Sequence, residues 1–590
     1  MKAEASKLYN YVGYNPFTDS QGRNFSDLKI SKEFFPISRF WSLYNDHHEI
    51  LIGTRGSGKT FLLKMMRRSM ISRMNNVLAY KIINDKIYFP FYVPMHMETV
   101  AALNDDRIND ERKIILFKFV FNSLLAESII EELIRYLDSI EKKQAIQKSL
   151  QLASEINAIW FPNDENGKMM DLFDLEVKVR QKSYNFDYLN GDIDEISVIF
   201  RRDFAGPLLG VQLTLEKNFD ASRDSMWIIC IDEAEFIPEI FQKCINSFMR
   251  SNTNRIALKI ATLPYYWKTL ETLDENIKVS GENDFNYQVL DMNCESEDFV
   301  ALTNKLCKHR VESISDVSLN VECLEDFLGV QGNDNRIDYY CDIVGEEKAS
   351  NEQVMKDIIS SFSDKRKEGA SSYPNKEKTI HQKFAPVLYT REIYKLQHSK
   401  GKGHFIPGWY AGADIVRKVS QGNPRLFIRL MSSLFTKATI SREFTTKVQH
   451  QVISKFAEDF CRASQAIEID GHMVYEKLLK TGEYIFDKVH NGPLISVGNC
   501  FRYKYSSTEE FEEWKKWIQR AIAFSKIIVS EKELITGLLE ESEYILSNAY
   551  AVKYWIPMRN DVMTLVPTSF ADKREENGQI SLFEIYNDGV

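Results

Sequence analysis

Residues 48–66 decide the fold of this chain, and they read HEILIGTRGSGKTFLLKMM. The run from Glu49 to Ile52 is short and mostly apolar, as a buried strand of a parallel sheet should be. The stretch from Gly53 to Thr60 matches the pattern G-x-x-x-x-G-K-[ST]. Glycines let such a loop curl until successive amide N–H groups point at one anion, and the helix that follows favours negative charge at its start. The sequence therefore predicts a strand, a phosphate-binding loop and a helix.

Two side chains of this loop carry most of its predicted chemistry. Lys59 would neutralise the β- and γ-phosphates of ATP, and the Thr60 hydroxyl would bind Mg²⁺. The predicted nucleotide-binding residues are Gly53, Thr54, Arg55, Gly56, Ser57, Gly58, Lys59 and Thr60. A chance glycine-rich turn is the alternative, and the predicted strand and helix on either side argue against it.

A second apolar run ends in two acids. The five residues from Trp227 to Ile231 are apolar, and Asp232 and Glu233 follow them. A phosphate-binding loop needs a carboxylate on a neighbouring strand to hold Mg²⁺. Asp232 is the predicted metal-positioning residue, and Glu233 is the predicted general base that polarises the attacking water. The alternative is a buried strand that ends in a solvated acidic turn.

Two further stretches are candidates for sensing the γ-phosphate. Residues 255–262 read as a strand, which would place Thr262 beside the nucleotide; a strand-capping threonine is the alternative. Asn423 and Pro424 are typical of the first positions of a helix. Arg425 then lies in the first turn, where a positive charge is unfavourable unless an anion such as the γ-phosphate compensates it. A surface arginine is the alternative.

Together these elements resemble the replication-initiator branch of the AAA+ ATPases, the origin-recognition and Cdc-type loaders, and the related STAND signalling ATPases. The matching residues are the loop from Gly53 to Thr60, Asp232 with Glu233, Thr262 as sensor 1, and Gly422 to Arg425 as sensor 2. The resemblance implies an α/β fold: a P-loop parallel sheet with a helical insertion, a helical lid and a C-terminal winged-helix-like domain. It also implies an ATPase with Glu233, Lys59 and Arg425 as catalytic residues. Bacterial members often occur in anti-phage defence loci, which makes that role a hypothesis.

The resemblance also suggests domain boundaries. Lys59 and Asp232 are 173 positions apart, more than a minimal core needs, so a helical insertion is predicted at about residues 100–225. The predicted units are an N-terminal segment that closes over adenine (1–45), the ATPase core (46–290), the lid (291–455), the winged-helix-like domain (456–567) and a flexible tail (568–590). In the winged-helix-like domain, residues 544–557 and 562–566 are predicted to form a β-hairpin.

One departure from the family pattern leaves two functions open. No arginine lies between Thr262 and Asn293, where the trans-acting arginine finger normally follows sensor 1. The first hypothesis is therefore an ATP-hydrolysing switch or motor in DNA-linked processes. The second is a nucleotide-locked scaffold that regulates a partner effector on another chain. A helicase is disfavoured, because no Q-x-x-G-R-x-x-R motif of a second motor lobe is present.

Charge and short motifs suggest partners. With 84 acidic and 75 basic residues the net charge is −9, which argues against coating nucleic acid by bulk charge. The stretch from Asp364 to Lys402 has ten basic against four acidic residues, and it and the winged helix are candidate DNA contacts; a solvated loop is the alternative. Gln579 to Phe583 resembles the peptide that docks on the replication sliding clamp, unless the tail packs its own side chains. A homo-oligomer is also consistent with the family.

Composition indicates a compartment. No window of about 18 uninterrupted apolar residues is present, so we expect no membrane partner. The start of the sequence lacks the apolar run of a secretory signal. The eight cysteines are scattered without a C-x-x-C pair, which fits a reducing cytoplasm.

Overall fold

The computed structural model describes residues 15–18, 26–163, 170–219, 221, 224–251, 255–312, 322–329, 336–362, 377–399, 408–441, 445–467 and 470–567. The strands in this part of the chain are β1 Glu49–Ile52, β2 Tyr88–Pro94, β3 Met226–Asp232, β4 Ile256–Thr262, β5 Asn286–Val289, β6 Cys500–Tyr503, β7 Ile527–Ile528, β8 Glu543–Leu546 and β9 Val562–Leu565. They form two sheets, one near the amino-terminal end of the chain and one near its carboxyl-terminal end.

The first sheet is parallel throughout, with the strand order β2-β3-β4-β1-β5. β4 lies between β1 and β3, and the register pairs Ile52 with Thr262 and Pro94 with Asp232. The carboxyl ends of parallel strands meet at one edge, where the crevice of an α/β sheet binds ligands. This edge gathers Gly53, Asp232 and Thr262, and the predicted α/β fold with a P-loop parallel sheet is confirmed.

Helices cover both faces of this sheet. On one face, the helix Lys59–Met66 buries Leu63, Met65 and Met66 in a cluster with Leu51 and Ile228. The other helices of this layer are Asp27–Glu33, Ser38–Ser42, Arg68–Ile71 and Val77–Asp85. The apolar side of the helix after the phosphate loop thus faces the sheet, as the sequence pattern predicts.

Between β2 and β3 the chain forms helices that cover the opposite face. They are Met97–Leu103, Asp110–Leu137, Lys142–Trp160, Leu172–Tyr184, Val198–Arg201 and Gly206–Phe219. The helix Glu239–Ser251, after β3, joins them, and Phe117 stacks on Phe241 with ring centroids 4.5 Å apart. This is the stretch where the sequence predicts a helical insertion.

Helices dominate the chain after β5. They are Glu297–Glu312, Glu325–Leu328, Arg336–Val344, Glu346–Ala349, Asn351–Ser360, Glu377–His398, Ala413–Ser420, Pro424–Ser441 and Thr446–Arg462. The second sheet follows with the helices Gly471–His490, Thr508–Ala523, Glu531–Thr536 and Asn548–Lys553. One continuous apolar cluster joins Phe427 and Leu430 of the first group to Trp517 and Tyr550 of the second. The predicted boundary at residues 455 and 456 lies inside the helix Thr446–Arg462.

The predicted β-hairpin near the carboxyl-terminal end is wrong. The second sheet has the order β7-β8-β6-β9, so β6 separates the two strands that the sequence pattern pairs. β6 is antiparallel to β8 and parallel to β9. Residues 548–553 form a helix in which Ala549, Tyr550, Ala551 and Val552 are buried. A short apolar run is ambiguous between strand and helix, and packing against the helix Thr446–Arg462 decides this one.

The predicted basic loop also differs in part. Residues 377–398 form a helix, while residues 364–376 and 400–402 lie outside the described residues. Arg391, counted among the basic residues, is buried and donates hydrogen bonds to the carbonyl oxygens of Val489 and Gly492. The predicted clamp-docking stretch, Gln579 to Phe583, lies outside the described residues. No helix among those described is long and apolar enough to span a membrane.

Candidate nucleotide-binding site

The loop after β1 has the backbone that its glycines permit. Gly56 and Gly58 have φ values of 101° and 98°, a region that residues with a Cβ rarely adopt. The helix begins at Lys59, whose side chain is only 9% exposed. Its ammonium group donates hydrogen bonds to the carbonyl oxygens of Gly53 (2.6 Å) and Thr54 (3.2 Å). Burial lowers the pKa of Lys59, and the nearby carboxylates oppose that shift.

An acid that sequence reasoning missed holds the start of the loop. The carboxylate of Asp291, two residues after β5, accepts hydrogen bonds from the Thr54 amide (2.9 Å) and the Thr54 hydroxyl (2.6 Å). Burial is the main reason why the pKa of Asp291 is raised. Asp291 is 237 positions from Thr54. The pairing of β5 with β1 brings Asp291 and Thr54 together, so no local sequence pattern predicts this contact.

The two predicted acids lie at the end of β3. Asp232 is 1% exposed and accepts a hydrogen bond of 2.8 Å from the Tyr92 hydroxyl at the end of β2. Burial holds the pKa of Tyr92 well above its ordinary value, and the negative charge of Asp232 raises it further. The Tyr92 hydroxyl therefore keeps its proton and donates it to the hydrogen bond. Glu233 has a φ of 58°, a left-handed conformation that turns the chain sharply out of the strand.

A third acid, Glu235, also faces the loop. Burial raises the pKa of Glu235, and Lys59 is the largest charge that opposes the shift. In turn, Glu235 is the carboxylate that most strongly opposes the lowering of the pKa of Lys59. Sequence reasoning assigned no role to Glu235. The available signal was a further acid three positions after Asp232, on the short turn that follows the strand.

Thr262 and the start of the helix Pro424–Ser441 both contact the loop. The amide of Gly53 donates to the carbonyl oxygen of Thr262 (3.2 Å). Asn423 caps the helix Pro424–Ser441 by accepting from the amides of Arg425 (3.1 Å) and Leu426 (3.2 Å). The Asn423 side-chain amide donates to the carbonyl oxygen of Arg55 (3.0 Å). The predicted helix start is thus attached directly to the phosphate-binding loop.

These elements enclose a cavity of about 170 Å³. Its polar lining includes Arg55, Gly56, Ser57, Gly58, Lys59, Thr60, Asp232, Glu233, Glu235, Arg310 and Arg425. Apolar side chains line the other part, among them Phe34, Phe35, Ile37, Leu302, Leu306 and Ile428. Of the predicted site residues, Gly53, Thr54 and Thr262 are not on the cavity wall. The charged end of the cavity suits the phosphates of a nucleotide, and the apolar end suits its base.

Atoms of the protein indicate that a polar ligand fits here. On the cavity wall, within the part of the chain that the structure describes, the Ser57 hydroxyl and one Glu235 oxygen are buried without a hydrogen-bond partner. Such groups normally have a partner. A Cβ added at Gly58 would meet no atom within 4 Å, so the space in front of this loop residue is open. A polyphosphate would fill that space.

A Mg²⁺ ion would rely on the nucleotide for most of its ligands. Among the residues described, no group of three or more His, Cys, Asp or Glu side chains could hold a metal ion alone. Mg²⁺ commonly keeps several waters and binds one or two protein groups together with phosphate oxygens. Thr60 and Asp232 are suited to be those protein groups.

The fold and this site define a P-loop ATPase of the AAA+ class. A family model described as ORC-CDC6-like matches residues 15–563, and the chain belongs to that family. The match confirms the resemblance to the origin-recognition and Cdc-type AAA+ ATPases, which act in DNA-linked processes. No curated protein and no solved structure matches the chain.

Proposed function

We propose that this protein binds and hydrolyses ATP with Mg²⁺ and acts as a molecular switch in DNA-linked processes. The observation that carries the proposal is one cavity lined by Lys59, Asp232, Glu233 and Arg425. These side chains come from the loop, the end of β3 and the lid, which are far apart in sequence. The required positive charge, carboxylates and loop amides thus converge on one site.

Each residue has a distinct role in the proposed reaction. Lys59 neutralises charge on the β- and γ-phosphates, while Thr60 and Asp232 hold Mg²⁺, which would stabilise developing negative charge on the phosphate oxygens. Glu233 orients the attacking water and accepts its proton. Thr262 supplies a buried hydroxyl at the end of β4, and Arg425 supplies a positive charge from the lid.

The lid turns occupancy of the site into a change of arrangement. Arg425 lies in the first helical turn after Gly422, and a Cβ at Gly422 would be 1.8 Å from the carbonyl oxygen of Met292. The turn that precedes the helix Pro424–Ser441 is therefore packed closely against the segment after β5. ATP attracts Arg425 and favours the closed arrangement, and loss of the γ-phosphate weakens that attraction.

The second candidate is a nucleotide-locked scaffold that regulates an effector on another chain. The specific observation in its favour is the arginine-free stretch between Thr262 and Asn293. We further propose a role in anti-phage defence. The proposed partners are DNA, contacted by the stretch from Asp364 to Lys402 or by a winged-helix-like unit, and the sliding clamp, bound by Gln579 to Phe583. Steady-state turnover with and without DNA separates the switch from the scaffold.

Two substitutions test the nucleotide site. Lys59→Ala should abolish binding of Mg-ATP, because the ammonium group is the buried positive charge of the loop. Glu233→Gln should keep binding and block turnover, because a carboxamide cannot accept the proton of water. Calorimetric titration and phosphate release measure the two effects. Normal hydrolysis by the Glu233→Gln protein would refute the assignment of the base.

A further inference from the structure

Asn423 contacts three parts of the molecule at once. Its oxygen caps the lid helix through the amides of Arg425 and Leu426, and its nitrogen donates to the carbonyl oxygen of Arg55 in the phosphate loop. The same nitrogen lies 3.4 Å from the Ser525 hydroxyl. Ser525 belongs to the carboxyl-terminal unit, which is the second sheet with the helices Gly471–His490, Thr508–Ala523, Glu531–Thr536 and Asn548–Lys553. Asn423 is 3% exposed. Backbone N–H donors face the Asn423 side-chain oxygen, and the Arg55 carbonyl oxygen faces its nitrogen. These partners fix which end of the Asn423 amide group is the oxygen.

The loop also contacts that unit directly. The amide of Arg55 donates to the carbonyl oxygen of Ala523 (2.9 Å), at the end of the helix Thr508–Ala523. The Arg55 guanidinium lies over the ring of Phe524, 5.1 Å from its centroid. Ala523 and Phe524 thus rest on the phosphate loop through a backbone hydrogen bond and a ring contact, while Ser525 reaches the loop only through Asn423.

The contact is close enough to transmit a movement of the loop. A Cβ placed on Gly56 would lie 2.7 Å from the Asn423 oxygen and 2.8 Å from the Arg425 Cβ. Gly56 belongs to the part of the loop whose amides would face the phosphates. A shift of Gly56 toward Asn423 on nucleotide binding would therefore displace Asn423, which contacts both the helix Pro424–Ser441 and Ser525.

We propose that Asn423 is the positioning residue through which the nucleotide state of the phosphate loop reaches the carboxyl-terminal unit. The inference rests on the proposed nucleotide site and adds a route from it. Arg425 would respond to the γ-phosphate. Asn423 joins the loop backbone to Ser525 and, by capping the helix Pro424–Ser441, holds Arg425 in the first turn of that helix. The carboxyl-terminal unit then docks more firmly on an occupied loop than on an empty one.

Asn423→Asp separates this connection from helix capping. A carboxylate still accepts from the Arg425 and Leu426 amides, but it cannot donate to the Arg55 carbonyl oxygen, so the link to the phosphate loop is lost. The Ser525 hydroxyl can turn and donate to the carboxylate, so this substitution removes the link to the loop and not the contact with Ser525. Asn76→Asp is the matched control, because Asn76 caps the helix Val77–Asp85 in the same way, away from the cavity. Ser525→Gly is a second test, because Ser525 has a φ of 58°, which glycine adopts without strain.

Hydrogen exchange of the full chain, with and without Mg-ATP, measures the connection at residues 521–528. Mg-ATP should slow exchange there by about fivefold or more in the wild type and in Asn76→Asp, the lower range of allosteric coupling. In Asn423→Asp, Mg-ATP should no longer slow exchange at residues 521–528 appreciably. The dissociation constant of this variant for Mg-ATP should stay within about tenfold of the wild-type value. Ser525→Gly should reduce the response.

Four results would overturn the inference. They are a full response in Asn423→Asp, loss of the response in Asn76→Asp, complete loss of nucleotide binding in Asn423→Asp, and a wild type that binds Mg-ATP without protection at residues 521–528. The last result leaves the proposed function intact. A wild type that binds no Mg-ATP refutes the proposed function instead, and the inference falls with it.

Discussion

Replacing Gly56 with alanine, and Gly58 in parallel, tests the packing of the lid on the phosphate loop. Both glycines have φ values near 100°, so alanine is strained at either position by about 1–2 kcal/mol. Only at Gly56 does the new methyl group also meet atoms, the Asn423 oxygen at 2.7 Å and the Arg425 Cβ at 2.8 Å. Asn423 must then withdraw its oxygen from the helix cap, which costs a further ~1 kcal/mol.

The two variants should therefore differ in thermal stability. A destabilisation of 1 kcal/mol lowers the unfolding midpoint by about 2–4 °C in a domain of about 150–250 residues, the size of the predicted ATPase core. Gly58→Ala should lower the unfolding midpoint by about 2–8 °C and Gly56→Ala by about 4–12 °C, a gap of about 2–4 °C.

Scanning calorimetry of the nucleotide-free protein measures this gap, because without nucleotide Gly58→Ala has no phosphate to displace. Equal midpoints for the two variants, or a smaller loss at Gly56, would refute the view that Asn423 and Arg425 are pressed against the loop in solution.

Two further predictions concern charge. Glu235→Gln should tighten Mg-ATP binding several-fold, because it removes a negative charge near Lys59 that repels phosphate; calorimetric titration with Glu98→Gln as control checks it, and unchanged affinity contradicts it. His48 should make the ATPase core sensitive to acid. Burial and, to a smaller extent, the charge of Lys259 lower the pKa of His48 to about 4. The neutral His48 ring accepts a hydrogen bond from the Leu258 amide (3.0 Å). Since the folded pKa lies below the unfolded value of about 6.5, the stabilisation is complete above pH 6.5 and is lost as the pH falls to 4, at most about 3 kcal/mol. Denaturant unfolding at several pH values should show this loss, and His48→Asn, which keeps an acceptor, should flatten it; a variant as acid-sensitive as the wild type would exclude His48.

Local patterns were sufficient where the chemistry is contiguous. The loop from Gly53 to Thr60 and the pair Asp232 and Glu233 are each read within one short stretch, because strand, turn and helix signals adjoin them. Asn423 was also recognisable, since a cap followed by proline indicates a helix start. Parallel strand pairing then brought these stretches to one sheet edge.

Patterns failed where the partner is distant. The hairpin prediction was wrong because β9 pairs with β6, about sixty residues earlier, instead of with the nearby β8. The positive charge of Arg391 counted toward a DNA-binding loop, yet its guanidinium is buried against the carbonyls of Val489 and Gly492. Periodicity and charge counts say which residues are apolar or charged, but they do not say what covers them.

The amino-acid sequence by itself predicted the loop from Gly53 to Thr60 and the acids Asp232 and Glu233, because the strand, glycine and charge signals of each lie within one short segment. Only the tertiary structure decided that Asp291 holds Thr54, that Glu235 faces Lys59 and that Asn423 joins the loop to the carboxyl-terminal unit. Those contacts link segments from about 100 to 370 positions apart in the sequence. Their existence depends on how strands and helices pack, which no single segment encodes.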